Sequence, residues 1–172
     1  GLAHLSFSGL ASAVSEAGGL GQIGVACFDT PEAFREDIQR LKARTSLPFG
    51  VNFPLGHRPL DAFVDVALEE AVPVISITAG NPEAMLRRIQ QSGLAVIPKT
   101  MVLVAGIRAA QKSEELGADA VIAVGYEGGG HLGRDDIGTL VLVPRVVDSV
   151  SIPVLASGGI GDGRGLGAAL AL

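Results

Sequence analysis

The chain has 172 residues, of which 48% are hydrophobic and 18% are charged, with a formal net charge of -5. This length suffices for one buried core and is short for two domains. The acidic balance and the lack of a Lys/Arg cluster exclude nucleic acid as an expected partner. No run approaches the roughly 18 apolar residues that cross a bilayer, so no membrane partner is expected and we predict a cytoplasmic protein. With Cys27 as its only cysteine, the chain has no internal disulfide and no cysteine-rich metal site.

Short apolar runs rich in Val and Ile predict six buried strands, at residues 21–26, 49–53, 74–78, 95–98, 120–124 and 153–156. Few polar residues alternate within these runs, which is typical of parallel strands covered on both faces. Amphipathic stretches between the strands predict helices. Their start signals are Thr30-Pro31, Pro59, Asn81-Pro82, Pro144 and Asp162, and one further helix is predicted at residues 108–116, with Gly117 as its stop.

Strands and helices alternate at the spacing of one βα unit, without a linker, which predicts a single α/β domain over residues 1–172. An open doubly wound sheet and a (β/α)8 TIM barrel both fit this pattern. Nearly every predicted strand ends in polar or glycine-rich residues, which favours a barrel, where all strand ends face one functional mouth. Six units fall short of eight, so we expect an incomplete barrel that lacks its first and eighth strands, as in a fragment.

The segment 125–133 has five glycines in nine positions and follows the predicted strand at 120–124. Such a loop loses much backbone entropy on ordering, which indicates that its backbone approaches something closely. His131 lies within it, and histidine is the side chain best suited to exchange protons near neutral pH. The alternative is a structural histidine that bonds a backbone carbonyl.

A second glycine cluster, Ser157-Gly158-Gly159 and onward to Gly165, joins the last predicted strand to a helix. Backbone amides at a helix N-terminus suit a phosphate, and barrels often place a phosphate site after strands 7 and 8. A plain tight turn remains the alternative.

Other candidates carry weaker signals. Asn52 ends an apolar strand, and its amide suits the edge of a heteroaromatic ring, although a turn-forming role is equally open. Glu127 either orders the glycine loop or meets a substrate. Lys99 either faces an anion or extends into solvent, and Arg134, Asp135 and Asp136 favour a salt-bridged loop over a metal site. Cys27 is expected to be a small buried residue, and no metal ligands are predicted.

The motifs Glu127-Gly-Gly-Gly-His131-Leu-Gly133, Leu142-Val-Pro144 and the run 157–165 together resemble the nitronate monooxygenase (2-nitropropane dioxygenase-like) family. The segments 13–21 and 49–52 are similar to earlier motifs of that family. The resemblance implies an FMN-binding (β/α)8 barrel related to flavin-type enoyl-ACP reductases and NADH:quinone reductases.

The resemblance also implies site residues. His131 matches the catalytic histidine, and FMN contacts fall on Asn52, Val124, Gly129, Gly130, Ser157, Gly158 and Gly159. Val124 stands where many members carry Gln or Asp. The second half of the phosphate site, a Gly-Thr pair, has no counterpart in this sequence.

These implications predict a flavoprotein oxidoreductase that oxidises nitronates or nitroalkanes with molecular oxygen, with His131 as acid/base. One alternative is an NAD(P)H-dependent quinone or enoyl-ACP reductase on the same barrel. A second alternative is a non-catalytic barrel fragment, and a third is a phosphosugar- or nucleotide-metabolising barrel that shares only the phosphate loop. Assembly into a homo-oligomer is left open.

Overall fold

The computed structural model describes residues 2–56, 58–130 and 132–172, so His57 and His131 lie outside the described residues. Within them, six strands alternate with seven α-helices. The strands are β1 Gly21–Gly24, β2 Phe49–Pro54, β3 Val74–Thr78, β4 Lys99–Val104, β5 Ala120–Val124 and β6 Val154–Ser157. The helices are α1 Ser8–Glu16, α2 Pro31–Arg44, α3 Asp61–Glu69, α4 Glu83–Gln90, α5 Ile107–Glu115, α6 Thr139–Val147 and α7 Gly163–Leu170.

Five of the six predicted strands are present at or near their expected places, and the prediction at residues 95–98 is wrong. Val96 is 84% exposed, and the strand begins only at Lys99, directly after Pro98. Proline cannot donate to the ladder, whereas the Lys99 amide donates to the Pro73 carbonyl at 2.9 Å. Lys99 therefore opens a strand rather than ending one.

The predicted helix starts were correct where the capping side chain lies only two or three residues before the amides that it bonds. The Thr30 hydroxyl accepts from the Ala33 amide at 3.2 Å, and Asp162 accepts from the amides of Arg164 and Gly165. The prediction that Pro144 begins a helix was wrong, because α6 starts at Thr139 and carries Pro144 inside it.

The chain divides into two compact units, one ending at Thr100 and one covering Met101–Leu172. In the first unit β1, β2 and β3 pair in parallel, with Gly24 opposite Asn52 and Asn52 opposite Ser76. One sheet face packs on α2 and α3, where the Phe34 ring lies 6.3 Å from Phe53 and 5.9 Å from Phe63. The core sits at this face, and its fully buried members include Ile23, Phe34, Ile38, Leu41, Val51, Phe53, Ile75 and Ile77.

The opposite face of the first unit carries Gln22, Asn52 and Ser76, which alternate with the core residues. Strands β1 to β3 are therefore polar on one face, contrary to the expectation of strands apolar on both faces.

In the second unit β4, β5 and β6 also pair in parallel. Val102, Val104, Val121 and Ala123 are buried, and α5 and α6 pack against this part of the chain. The carboxyl end of β5 leads into the glycine loop and that of β6 into the second glycine cluster. Both clusters therefore lie at one edge of the same three strands.

Six βα repeats within the described residues are consistent with part of a (β/α) barrel. Closure into eight strands and the single-domain organisation stay predictions. No helix in residues 2–56, 58–130 and 132–172 is long and apolar enough to cross a membrane.

Candidate functional site

Asn52 lies at the centre of a buried polar network in the first unit. Its side chain is 5% exposed, and its Nδ2 donates to Ser76 Oγ at 3.0 Å. Ser76 Oγ in turn donates to Gln22 Oε1 at 2.6 Å. Gly50 leaves the room that Gln22 occupies, since an added Cβ would lie 3.3 Å from Gln22 Cγ. The network uses the amide nitrogen of Asn52 and fixes the direction in which the whole amide points.

The glycine loop of the second unit is closed at its base. The Tyr126 amide donates to the Ile137 carbonyl at 2.8 Å, and the Gly128 amide donates to the Gly125 carbonyl at 2.9 Å. A lobe of ten residues, numbered 127 to 136, therefore stands on a hydrogen-bonded neck. His131 belongs to this lobe by its position in the chain.

The glycines of the lobe and its neck serve two different purposes. A Cβ on Gly125 would lie 2.2 Å from Thr139 Oγ1, and one on Gly128 would lie 2.7 Å from Val124 Cγ2. These two positions have no space for a side chain because the loop packs on its own protein. Gly129 and Gly130 are exposed and have no neighbour within 4 Å of an added Cβ, so their backbone is open to a ligand.

Thr139 joins the two glycine clusters. Its amide donates to Glu127 Oε2 at 2.9 Å, so the glutamate caps α6 from twelve residues away. Its Oγ1 lies 3.0 Å from Glu127 Oε2 and 2.9 Å from the Gly158 carbonyl. Hydrogen bonds from the backbone of Glu127 itself and from Thr139 lower the pKa of the Glu127 carboxyl below its ordinary value. Of its two predicted roles, Glu127 performs the loop-ordering one.

The second glycine cluster turns through two left-handed residues, Gly158 at φ 106° and Gly159 at φ 72°. The Asp162 carboxylate occupies the amides of Arg164 and Gly165, and Arg164 pairs with it at 2.6 Å. These hydrogen bonds lower the pKa of Asp162, that of the Arg164 side chain first. A phosphate here would have to use the loop amides that precede α7, because Asp162 already takes these two.

The structure places the remaining predicted residues as follows. Val124 is buried beneath Gly128, and Ser157 ends β6 beside it in register. Lys99 lies at the amino end of β4 and not at the carboxyl end of a strand. Cys27 is half-buried rather than fully buried, with its sulfur 3.7 Å from the Leu2 carbonyl.

Within the described residues, no ion pair joins Arg134, Asp135 and Asp136, and no group of acidic, histidine or cysteine side chains could hold a metal. The predicted roles of His131 and of the FMN contacts stay predictions. Asn52 belongs to the first unit, whereas Val124, Gly129, Gly130, Ser157, Gly158 and Gly159 belong to the second.

Sequence reasoning missed three residues that organise these regions: Gln22, Ser76 and Thr139. Gln22 and Ser76 alternate with core residues, a period-2 pattern that was detectable in the short strands. Thr139 follows Gly138 before an apolar run, which is an ordinary N-terminal helix signal. Its partner Glu127 could not have been identified locally.

An α/β chain with glycine-rich loops at the carboxyl ends of parallel strands belongs to a class in which many cofactor-binding enzymes are found. The family model of nitronate monooxygenase matches residues 1–172. The chain therefore belongs to the nitronate monooxygenase family, and the resemblance seen in its motifs is confirmed.

Three similar proteins have different described activities. The chain is 46% identical to FabK of Thermotoga maritima, an enoyl-ACP reductase, with a TM-score of 0.91 over 99% of this chain and 53% of FabK. It is 33% identical to nitroalkane oxidase of Streptomyces ansochromogenes, with a TM-score of 0.81 over 96% of this chain and 58% of that protein. It is 38% identical to (3aS,4S,5R,7aS)-5-hydroxy-7a-methyl-1-oxo-octahydro-1H-indene-4-carboxyl-CoA dehydrogenase of Rhodococcus jostii, over 94% of this chain and 44% of that protein. The chain thus spans about half the length of these relatives.

Proposed function

We propose that this protein is an FMN-dependent oxidoreductase that oxidises alkyl nitronates or nitroalkanes with molecular oxygen. The observation that carries the proposal is the family match over residues 1–172, together with the similarity to a nitroalkane oxidase. The glycine lobe supports it, because Gly129 and Gly130 directly precede His131 in the chain and have no neighbour within 4 Å of an added Cβ. Their backbone can therefore be approached closely by a ligand.

Each unit, considered by itself, contains residues that are suited to contact a flavin. Gly158 and Gly159 turn the chain at positive φ directly before α7, which is compatible with a phosphate-binding turn, and both pack closely on Thr139 and Glu127. Asn52 holds a fixed amide that can contact a heteroaromatic ring edge. When bound, FMN supplies the redox chemistry.

The chain's own residues are assigned to holding the flavin, to binding the substrate and to moving a proton. Asn52, Gly129, Gly130, Ser157, Gly158 and Gly159 are assigned to holding the flavin, with Val124 as an apolar contact. His131 is assigned to the reacting region, where its imidazole either binds the anionic nitronate or accepts a proton from the nitroalkane carbon.

A second candidate is a reductase or dehydrogenase that uses NAD(P)H or a thioester substrate. It is favoured by the 46% identity to FabK and the 38% identity to the carboxyl-CoA dehydrogenase. In this case His131 would serve as a proton donor to the reduced substrate.

Anaerobic mixing of the purified, FMN-loaded protein with NADPH or NADH distinguishes the two candidates. Persistent flavin absorbance near its oxidised spectrum, followed by oxygen consumption when ethyl nitronate is added in air, is the result expected for the first. Rapid bleaching by the nicotinamide cofactor, without oxygen consumption on nitronate, would contradict the first and support the second. A colourless protein that FMN does not reconstitute would contradict both and support the non-catalytic alternative.

A further inference from the structure

The hydrogen-bonded row on the polar face of the first unit has a fixed direction, and one backbone group sets it. Asn52 Nδ2 lies 3.4 Å from the Ser76 carbonyl oxygen and 3.0 Å from Ser76 Oγ. A backbone carbonyl can only accept a hydrogen bond, so the atom of the Asn52 amide that faces it has to be the nitrogen. The Oδ1 atom of Asn52 is thereby turned away from Ser76.

The Ser76 hydroxyl passes this direction on to Gln22. Because Ser76 Oγ accepts from Asn52, its own proton is free to be donated, and Gln22 Oε1 accepts it at 2.6 Å. The Val51 carbonyl, at 3.5 Å, is a more distant acceptor for the same proton. Gln22 reaches Ser76 from β1 across β2, where its partner in register is Gly50. Gln22 therefore holds the hydroxyl so that the Ser76 oxygen stays an acceptor for Asn52.

The row leaves one acceptor of a buried side chain unpaired. Within residues 2–56, 58–130 and 132–172, Asn52 Oδ1 has no hydrogen-bond partner, although the residue is only 5% exposed. In the same part of the chain, Ser92 Oγ is the one fully enclosed side-chain oxygen or nitrogen without a partner. Asn52 Oδ1 therefore keeps some accessible surface, and a bound molecule that donates a hydrogen bond can satisfy it.

An acceptor at this position selects a donor on the ligand. The proposed flavin has several acceptors along its heteroaromatic edge, but its oxidised ring carries a single N–H group, at N3. An Asn52 amide in the opposite orientation would present a donor, and would suit a ring nitrogen or a ring carbonyl instead. The orientation of Asn52 thus decides which part of the ring edge it can contact.

We propose that Gln22 and Ser76 are positioning residues, which hold the Asn52 amide so that Oδ1 accepts the N3–H of the oxidised flavin. In this role both act through Asn52 and neither has to touch the flavin. The inference rests on the proposed function for the presence of FMN, and its three residues all belong to the first unit. It gives this polar face a preference for a ring with an N–H group over the same ring without one.

The flavin analogue 3-methyl-FMN, in which a methyl group replaces that proton, tests the acceptor. The purified protein is freed of bound flavin and titrated with FMN and with 3-methyl-FMN, and flavin fluorescence gives the two dissociation constants. We expect the wild type to bind 3-methyl-FMN at least about tenfold more weakly, because the donor is lost and Oδ1 is left unpaired. Equal affinities would overturn the inference without any variant having to fold.

The variant Asn52→Leu separates loss of the hydrogen bond from crowding by the methyl group. Leucine is similar in size to asparagine and cannot accept a hydrogen bond. The ratio of the dissociation constants for 3-methyl-FMN and FMN should therefore fall to about one in this variant. A ratio as large as that of the wild type would show that crowding alone excludes the methyl group, and would overturn the inference.

The positioning residues are tested with the same ratio, which a loss of stability alone would not change because it affects both flavins alike. Ser76→Ala and Gln22→Met should each lower the ratio at least about threefold, whereas Ser76→Thr, which keeps the hydroxyl, should retain it. Gln39→Met is the matched control for Gln22→Met, since the Gln39 amide bonds Glu70 at the surface. An unchanged ratio in Ser76→Ala or Gln22→Met would remove that residue from the role, and an equal fall in Gln39→Met would overturn it for Gln22.

Failure of this inference differs from failure of the proposed function. If the wild type binds neither flavin, the proposed FMN-dependent activity is wrong, and this inference is wrong with it. If the wild type binds FMN and 3-methyl-FMN equally well, flavin binding is established and only the role of Gln22, Ser76 and Asn52 is wrong.

Discussion

The two units differ in the kind of polar group that lies on or beside their strands. In the first unit side chains of the strands themselves form a hydrogen-bonded row, in which Asn52 and Ser76 are buried and Gln22 is half-buried. In the second unit the strands are almost wholly apolar, and the polar groups are backbone amides and carbonyls of two glycine clusters connected through Thr139. The first arrangement depends on amide and hydroxyl side chains, and the second depends on the absence of side chains.

This difference predicts different responses to mutation. A side-chain network loses one hydrogen bond at a time, and its loss can be partly offset by neighbours or water. A packed glycine cannot accept even one methyl group without moving backbone, so Gly125 and Gly128 should be far less tolerant of substitution than the members of the side-chain network.

The largest effect is expected for the one reacting side chain assigned to the second unit. His131→Ala should lower turnover at least about 100-fold while FMN stays bound, the usual scale for loss of a general acid or base. Steady-state kinetics with a flavin spectrum on the same sample measure this, and His4→Ala serves as control because His4 is exposed near the N-terminus. Near-normal turnover of His131→Ala would remove the histidine from the mechanism.

A matched pair of glycines tests the role of backbone in the second unit. Gly125→Ala would place its Cβ 2.2 Å from Thr139 Oγ1 and 2.3 Å from the Thr139 amide nitrogen, and should lower the free energy of unfolding by about 1–3 kcal/mol. Gly129→Ala meets nothing within 4 Å and should leave stability unchanged while weakening FMN. Urea unfolding and flavin titration are the measurements. Equal stability of the two variants would contradict the packing role of Gly125, and full FMN affinity in Gly129→Ala would contradict close approach there.

A smaller effect is expected in the side-chain network of the first unit. Asn52→Ala removes the amide donor of the buried Ser76 hydroxyl, which keeps Gln22 and the more distant Val51 carbonyl, and should cost about 1–2 kcal/mol in the free energy of unfolding. Gln39→Ala is the control, since its amide bonds Glu70 at the surface. If both variants unfold at the same urea concentration, the buried network contributes no more than a surface contact.

The smallest effect concerns pH. Because hydrogen bonds hold the pKa of Glu127 below its ordinary value of 4.5, its stabilising contribution is present above that pH and is lost as the pH falls through the lowered pKa. Glu127→Gln should therefore flatten the acid side of the stability profile, leaving the similar contribution of Asp162 in place. Thermal unfolding, recorded at intervals of about one pH unit between pH 3 and pH 7, measures this. An unchanged slope in Glu127→Gln, with a changed slope in Asp162→Asn, would assign the acid response to α7 alone.

The sequence predicted features set by local chemistry and missed those set by distant contacts. The strands at Val74–Thr78 and Ala120–Val124 were placed correctly because each is a short Val/Ile run. The strand at Lys99–Val104 was misplaced because its two polar first residues look like a strand end, whereas the apolar residues before Pro98 are exposed.

The start of α6 shows the same limit at the candidate site. Pro144 is a strong local start signal, but the helix begins at Thr139 because Glu127 reaches it from the lobe. The glycine clusters and their places at strand ends were predictable. Which glycines pack internally and which stay open depends on Thr139 and Val124, neighbours that sequence spacing does not reveal.

The hydrogen-bonded neck of the lobe, from Tyr126 to Ile137, has an evolutionary consequence. Its two ends are fixed to each other, so the lobe residues other than Glu127 and Gly133, which contact Thr139 and Ala105, can be replaced or lengthened while β5 and α6 keep their places. Doubling the length of such a segment costs only about 0.6 kcal/mol in closure entropy. A chain with such a neck can take up other residues in the lobe without having to redesign the fold that supports them.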